Sequence, residues 1–448
     1  MRQIRLFLVL TILFLSQCIQ AQQLKRRPFF GANLLDVTKV KKKELKLPST
    51  QGVYLARVLP HSSAAEARFK AGDVLVGLNN QVITSVKQFV PLIKTFETGD
   101  RIQLTFYRAG KKQVKSLVFK GFPYKQSDRY EVVYGSVKAQ KNHLRTIITK
   151  PKEEGKFPAV VIIQGVGCIN LDHPAVDFYH VLADSLTSKG MVVMQIEKTG
   201  QGDSKGTPCR ECTFDEEVEG YRQGLLALKK LPYVNADQIF LFGFSMGGVI
   251  APILANKIPV KGIIAYGTVG RNWSEYSMEN SRRQAEMAGT EYDKIATRMR
   301  RKARALHYMM LEQMPKKKLI AQHPELARNV NFYPQSYRYF QKVGSLNLAK
   351  YWIKAGTNVL VIHGKADFVS FAKDHQLIAQ IVNRESPSKA THLELANSDH
   401  WLNNVSTMQE SLQNIRAPKN VTKNYQLYAI ASRWIQNVLG KKSLSVKD

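Results

Sequence analysis

Ile239-Phe-Leu-Phe-Gly-Phe-Ser-Met-Gly-Gly248 is the stretch whose reading decides the fold. Residues 239–242 are large and apolar, as in a buried strand. After Gly248 comes an Ala/Ile-rich run that suits a helix. Between them stands Gly243-Phe-Ser245-Met-Gly247, a G-x-S-x-G pattern. A serine on a sharp, strained turn from strand to helix projects its hydroxyl from the sheet edge. The flanking glycines let strand and helix approach closely. An ordinary turn with an ordinary serine is the bland alternative.

Outward from this turn the chain alternates short β-branched runs with helical stretches. Runs at 159–164, 191–196 and 239–242 read as strands, and 178–189 and 214–231 as helices. This is the rhythm of a parallel sheet wrapped in helices. Residues 130–137 and 143–150 read as antiparallel strands ahead of it. A polar, aromatic-rich helical insertion spans 272–350. Strands resume at 359–363 and 393–395, and a closing helix is expected at 421–439.

A serine hydroxyl is a poor nucleophile and needs a base, which in turn needs an acid to orient it. Val359-Leu-Val-Ile-His-Gly-Lys-Ala-Asp367 ends a buried strand with a carboxylate in a loop. Leu395-Ala-Asn-Ser-Asp-His400 places a histidine just past the last strand. Both positions lie beyond strand C-termini, where ligand sites of open parallel sheets collect. Read singly, Asp367 could cap a helix and His400 could be a surface histidine. His363 sits on the strand itself, and Asp399 points away from its neighbour. His173 and His180 precede the serine.

Residues 128–440 resemble the α/β-hydrolase superfamily, within its esterase and serine-aminopeptidase-like branch. The order Ser245, Asp367, His400 matches that fold. The resemblance implies a mostly parallel sheet of about eight strands with a helical cap at 272–350. It also implies an oxyanion hole built from the backbone N–H groups of Met246 and Val166. Gln164-Gly-Val-Gly167 is similar to the His-Gly-x-Gly loop of these enzymes, with Gln164 replacing His. Gln164 and Gly165 are the expected substrate-binding pair. Glu197-Lys-Thr-Gly-Gln-Gly-Asp-Ser-Lys-Gly206 resembles the family's Gly-x-Gly-x-Ser-x-Gly loop. It lacks the Lys-Ser/Thr that a phosphate loop carries into its helix. Trp273, Tyr276, Tyr308, Tyr337 and Tyr339 are candidate cap liners, with plain helix packing preferred for most.

The N-terminal part has a different grammar. Gly52-Val-Tyr-Leu-Ala-Arg-Val58 reads as a strand, and Pro60 to Phe69 as a turn into a short helix. Lys70 to Ile83 reads as strand, Asn-Asn turn, strand. Residues 85–94 carry helical spacing, and 100–108 with 112–119 form a hairpin about Ala109-Gly110. Residues 28–122 resemble a bacterial PDZ domain, a small α+β module. The resemblance implies capture of an extended peptide C-terminus at a sheet edge. Its carboxylate loop would be Phe30-Gly31-Ala32. A PDZ fold used only for packing is the alternative.

Met1-Arg-Gln-Ile-Arg5, an apolar run at 6–15 and Ala21 make a secretory signal peptide over 1–21. A lipoprotein signal with lipidated Cys18 is the alternative. No later run is long and apolar enough to span a membrane. Cys168, Cys209 and Cys212 remain, an odd count implying one disulfide and one thiol. The loops after 164 and 200 should meet at one sheet edge, so a bond from Cys168 to Cys209 is expected ahead of one to Cys212. A Cys209–Cys212 redox pair is the alternative, and no fourth ligand suggests zinc.

The formal charge is +31, yet no nucleic-acid motif accompanies it, so a basic solvated surface is expected. The sequence therefore reads as an exported serine hydrolase of small esters or short acyl substrates, needing no cofactor or metal. A peptidase or aminopeptidase acting on amides is the second reading. A PDZ peptide-binding protein with a passive hydrolase fold, or a polyanion-binding protein, would be non-enzymatic alternatives.

Overall fold

A computed structural model describes residues 24–173, 176–332, 334–417 and 421–440. The expected signal peptide and Cys18 lie outside the described residues. The chain divides into two compact units, Leu24–Lys125 and the part from Gln126 onward.

In the first unit, strands β1 (Ala32–Asp36), β2 (Val53–Val58), β3 (Val74–Leu78), β5 (Arg101–Arg108) and β6 (Lys111–Val118) form a sheet in that order, with β4 (Gln81–Val82) paired to β3. Neighbours are antiparallel. Alternate side chains of these strands enter a core with Phe30, Phe69 and Phe89. Ala109 and Gly110 both take positive φ, the left-handed pair that a two-residue hairpin turn requires. The helix Val86–Ile93 packs beside β1, and Asp36 Oδ1 accepts the Val86 N–H at 2.7 Å. β1 ends the strand order, so its outer edge carries no strand partner within this sheet.

The second unit is an eight-stranded sheet: β7 (Glu131–Ala139), β8 (Asn142–Lys150), β9 (Phe157–Ile163), β10 (Val192–Ile196), β11 (Val234–Phe244), β12 (Gly262–Tyr266), β13 (Asn358–Gly364) and β14 (Ala390–Leu395). Their spatial order is β14-β13-β12-β11-β9-β10-β8-β7. β9 to β14 run parallel to one another, and β8 and β7 are antiparallel additions. This is an α/β-hydrolase fold. Strand side chains alternate between two cores. Val160, Ile162, Phe240 and Phe242 meet the helices Asp177–Thr187 and Gln426–Val438 on one face. Val161, Ile163 and Leu241 meet Phe214–Lys229 and Met246–Ala255 on the other. Five α-helices between Trp273 and Lys354 separate β12 from β13 and form the cap. β12 went unread in the sequence, and β14 begins before the expected 393.

Candidate active site

β11 ends at Phe244, and a helix starts at Met246. Ser245 between them takes φ 53° and ψ −116°, a conformation costly for a side chain larger than glycine. Close packing enforces it. A Cβ on Gly247 would lie 2.1 Å from the Ile163 carbonyl oxygen of the neighbouring strand. The Ser245 N–H donates to the Tyr266 carbonyl at 2.8 Å. The Thr268 hydroxyl donates to the Ser245 carbonyl at 2.9 Å, and the Thr268 N–H donates to His375 Nε2 at 3.0 Å. The elbow is thus pinned from strand β12 and from the helix Ala372–Glu385.

His400 lies with Nε2 3.1 Å from Ser245 Oγ and Nδ1 2.8 Å from Asp367 Oδ2. Asp367 is fully buried. Its Oδ1 accepts the N–H groups of Val369 and Ser370 at 2.6 and 2.8 Å, and Ser370 donates its hydroxyl to Oδ2. Burial alone would raise the Asp367 carboxyl. The charge and hydrogen bond of His400, with the Ser370 bonds, outweigh it and hold the group well below the usual carboxylate range. Asp399 faces elsewhere: it accepts from Trp401 N, Asn403 N and Ser411 Oγ, which fixes the loop carrying His400.

The loop after β9 passes against Ser245, since a Cβ on Gly165 would sit 3.1 Å from Ser245 Cβ. Among the described residues, neither the Met246 nor the Val166 N–H has a hydrogen-bond partner. Gln164 and Gly165, the expected substrate-binding pair, make contacts within the protein. Gln164 is buried, its N–H donates to Tyr221 Oη at 3.0 Å, and its amide nitrogen donates to the Ile196 carbonyl at 2.8 Å. The Gly165 N–H donates to Tyr179 Oη at 2.9 Å, and its carbonyl accepts from Lys198 Nζ at 2.6 Å. Buried polar groups must be paired, and these are paired with protein. These bonds hold both residues in the loop.

Lys198 also pairs with Glu217 at 2.8 Å. The Gly-rich segment around it is tied down by buried Arg145, which reaches Glu197 at 2.6 Å, Asp172 at 2.9 Å and Asp203 at 3.3 Å. Cys168 and Cys209 are disulfide-bonded and so join the two loops. Cys212 is a buried thiol, and burial pushes its pKa far up, which disfavours the thiolate. The cap aromatics pack as helices do: Trp273 lies on Tyr276 and Phe340, Tyr308 on His323, and Tyr339 on Phe214. Tyr337 donates its hydroxyl to the Met314 carbonyl. His363 packs against His375, with ring centroids 5.0 Å apart. Within the 24–125 unit, Gly31 has φ 72°, and a Cβ there would meet Ser62 Cβ at 2.1 Å, so only glycine fits. Among the described residues, the N–H groups of Phe30 and Gly31 have no hydrogen-bond partner.

A family model described as serine aminopeptidase, S33, matches residues 160–397, more than half of the chain. The chain belongs to this α/β-hydrolase family. A PDZ-domain model matches residues 28–117 of the same S33-family chain. Among curated relatives, the periplasmic serine endoprotease DegP of Salmonella typhimurium is 30% identical over 120 residues, 27% of this chain and 25% of that one. Esterase EstD of Thermotoga maritima is 22% identical over 248 residues, 55% of each chain. The S33-family chain thus spans about a quarter of the DegP relative's length and about half of EstD's. A solved structure of Est1E from Butyrivibrio proteoclasticus with ferulic acid bound aligns with a TM-score of 0.45 and 14% identity, covering 68% of this chain and 99% of that one.

Proposed function

We propose that the protein is an exported serine hydrolase that cleaves carboxylic esters through an acyl-enzyme. One observation carries the reading: a continuous hydrogen-bonded line from Ser245 Oγ through His400 to Asp367, at 3.1 and 2.8 Å. In this line His400 Nε2 takes the Ser245 proton as Oγ attacks the acyl carbon. Asp367 holds Nδ1–H and stabilises the imidazolium that forms. The tetrahedral oxyanion falls to the Met246 and Val166 N–H groups. His400 then protonates the leaving alcohol, and water repeats the sequence to release the acid. The catalytic unit would span 128–440, with its cap at 272–350. Amide substrates are the second choice, since the same groups can cleave both.

The test uses short p-nitrophenyl esters and aminoacyl amides with wild type and Ser245→Ala. Turnover by wild type alone, with fluorophosphonate labelling at Ser245, supports the reading. No turnover of either substrate and no label at Ser245 ends it.

Residues 28–122 are proposed to capture a peptide C-terminus. The support is the unpaired outer edge of β1 and the open N–H groups at Phe30 and Gly31. Fluorescence anisotropy with free-acid and C-amidated peptides tests this on the full chain. Equal binding of the two forms rejects a carboxylate loop. Export rests on the signal-like N-terminus, on the disulfide and on the periplasmic location in the name of the DegP relative.

A further inference from the structure

Two clefts of similar size among the described residues at the cap differ in charge. One, of about 820 Å³, is lined by Arg210, Lys316, Lys317 and Arg338, and no carboxylate lines it. The other, of about 860 Å³, carries Arg271 and Glu275. Arg271 is neutralised there by Asp374 at 3.1 Å and Glu279 at 2.5 Å. The cationic cleft is therefore not just a sample of the chain's general basicity. Lys317 and Arg338 are exposed and, among the described residues, make no ion pair. Lys316 donates to Asn331 Oδ1 at 2.8 Å, a neutral partner that leaves its charge uncancelled. Cations held around one concavity repel each other, and the same field concentrates anions.

Shape narrows the ligand. Half-buried Phe332 and Pro334 give the cleft an apolar wall, which a bare inorganic ion does not use. Two unpaired cations with Lys316 beside them suit several acidic groups on one carbon skeleton. Gln335 in the same wall donates to the Gly167 carbonyl at 3.4 Å, one residue from Val166. The cleft thus adjoins the loop beside Ser245.

We propose that this cleft binds a low-molecular-weight organic polyanion, either an acidic sugar oligomer or an acyclic polycarboxylate. The claim concerns binding and does not depend on the hydrolase reading. The test is isothermal titration calorimetry on the full chain, carrying Ser245→Ala to exclude turnover. The probes are trigalacturonate, citrate, inorganic phosphate and neutral maltotriose. One or both organic acids are expected to bind, and which of them binds identifies the source. Binding should weaken at least ~10-fold in Lys317→Glu/Arg338→Glu and fall as salt rises. Arg298→Glu/Arg301→Glu makes the same charge change outside the cleft and should bind almost as wild type does. If the cleft reversal does not fold, judged by circular dichroism, Lys317→Gln/Arg338→Gln replaces it. Absence of binding by both organic acids overturns the proposal. So does equal binding of maltotriose or phosphate, or equal loss in the two charge-reversed proteins.

Discussion

Arg283, on the cap helix Trp273–Met287, donates to the Ser370 carbonyl at 2.7 Å and to the Phe368 carbonyl at 2.6 Å. Its guanidinium lies over the Phe371 ring, 3.6 Å from the centroid, and Asn280 one turn earlier donates to the Val369 carbonyl. The same short turn gives its Val369 and Ser370 N–H groups to Asp367. Cap and acid loop are therefore locked through both sides of one backbone segment.

Arg283→Ala should cost about 2–4 kcal/mol in urea unfolding, because buried carbonyls lose their donors. Small displacements of a catalytic group are costly, so kcat on a neutral ester should fall about 10- to 100-fold with little change in KM. Arg283→Lys, which keeps the charge but not the two-carbonyl fork, should recover part of kcat. A kcat equal to wild type, despite lowered stability, would show that the clamp does not position Asp367.

Asp367→Asn should leave the fold intact and lower kcat by about 10⁴-fold. The His400 Nδ1–H would lose its carboxylate partner, and the imidazole could turn to the wrong tautomer for accepting the Ser245 proton. Fluorophosphonate labelling should slow in parallel with ester turnover. Near-normal labelling would remove Asp367 from the proposed mechanism.

The Cys168–Cys209 bond closes a sequence separation of 41 residues. Loop-closure entropy sets an upper estimate of about 4 kcal/mol for its stabilisation. Cys168→Ser/Cys209→Ser should therefore unfold at clearly lower urea. It should also lose ester activity, because the bond ties the loop bearing Val166 to the Gly-rich loop. Loss of stability with unchanged kcat would make the bond a brace for the fold alone.

Much of this was legible in the sequence because it sits in short local patterns. The elbow glycines, the strand-end Asp367 and the loop His400 each occupy a recognisable place between strand and helix signals. The supports were not legible. Thr268, Ser370, Tyr179 and Arg283 act through contacts that ordinary Ser, Thr, Tyr and Arg positions do not advertise. Thr268 meets His375 across 107 residues, and Arg283 meets Ser370 across 87. β12 is only five apolar residues, Gly262-Ile-Ile-Ala-Tyr266, too short for periodicity to separate strand from helix. The bond from the Gln164 amide nitrogen to the Ile196 carbonyl was equally illegible, because it spans 32 residues.

His375 makes stability depend on pH in a direction that can be worked out. Its Nε2 accepts the Thr268 N–H, so its Nδ1 carries the proton donated to the Phe371 carbonyl at 2.8 Å. A second proton on Nε2 would break the bond to Thr268 inside a fully buried site. Burial first, and the neighbouring His363 second, push the His375 pKa down to about 3 from 6.5, against opposing pulls from the Phe371 bond and Asp367. The folded pKa is the depressed one, so between these values the unfolded chain binds a proton that the native chain refuses. Stability is complete above 6.5 and is lost as pH falls through that window, by at most ~1.4 kcal/mol per pH unit. His363 and His392, also lowered chiefly by burial, add slope of the same sign. The depressed Asp367 carboxyl adds its share only at lower pH, from its ordinary 3.8 downward. Glu197, pushed up to about 7 chiefly by burial, contributes the opposite slope over the same window. The contribution of His375 is therefore read as the difference between wild type and His375→Gln in urea unfolding at about pH 7, 6 and 5. His375→Gln should be less stable at about pH 7 and should lose less stability than wild type as pH falls, since its amide does not titrate. Identical slopes for the two proteins would mean that His375 takes up its proton without cost in the native state.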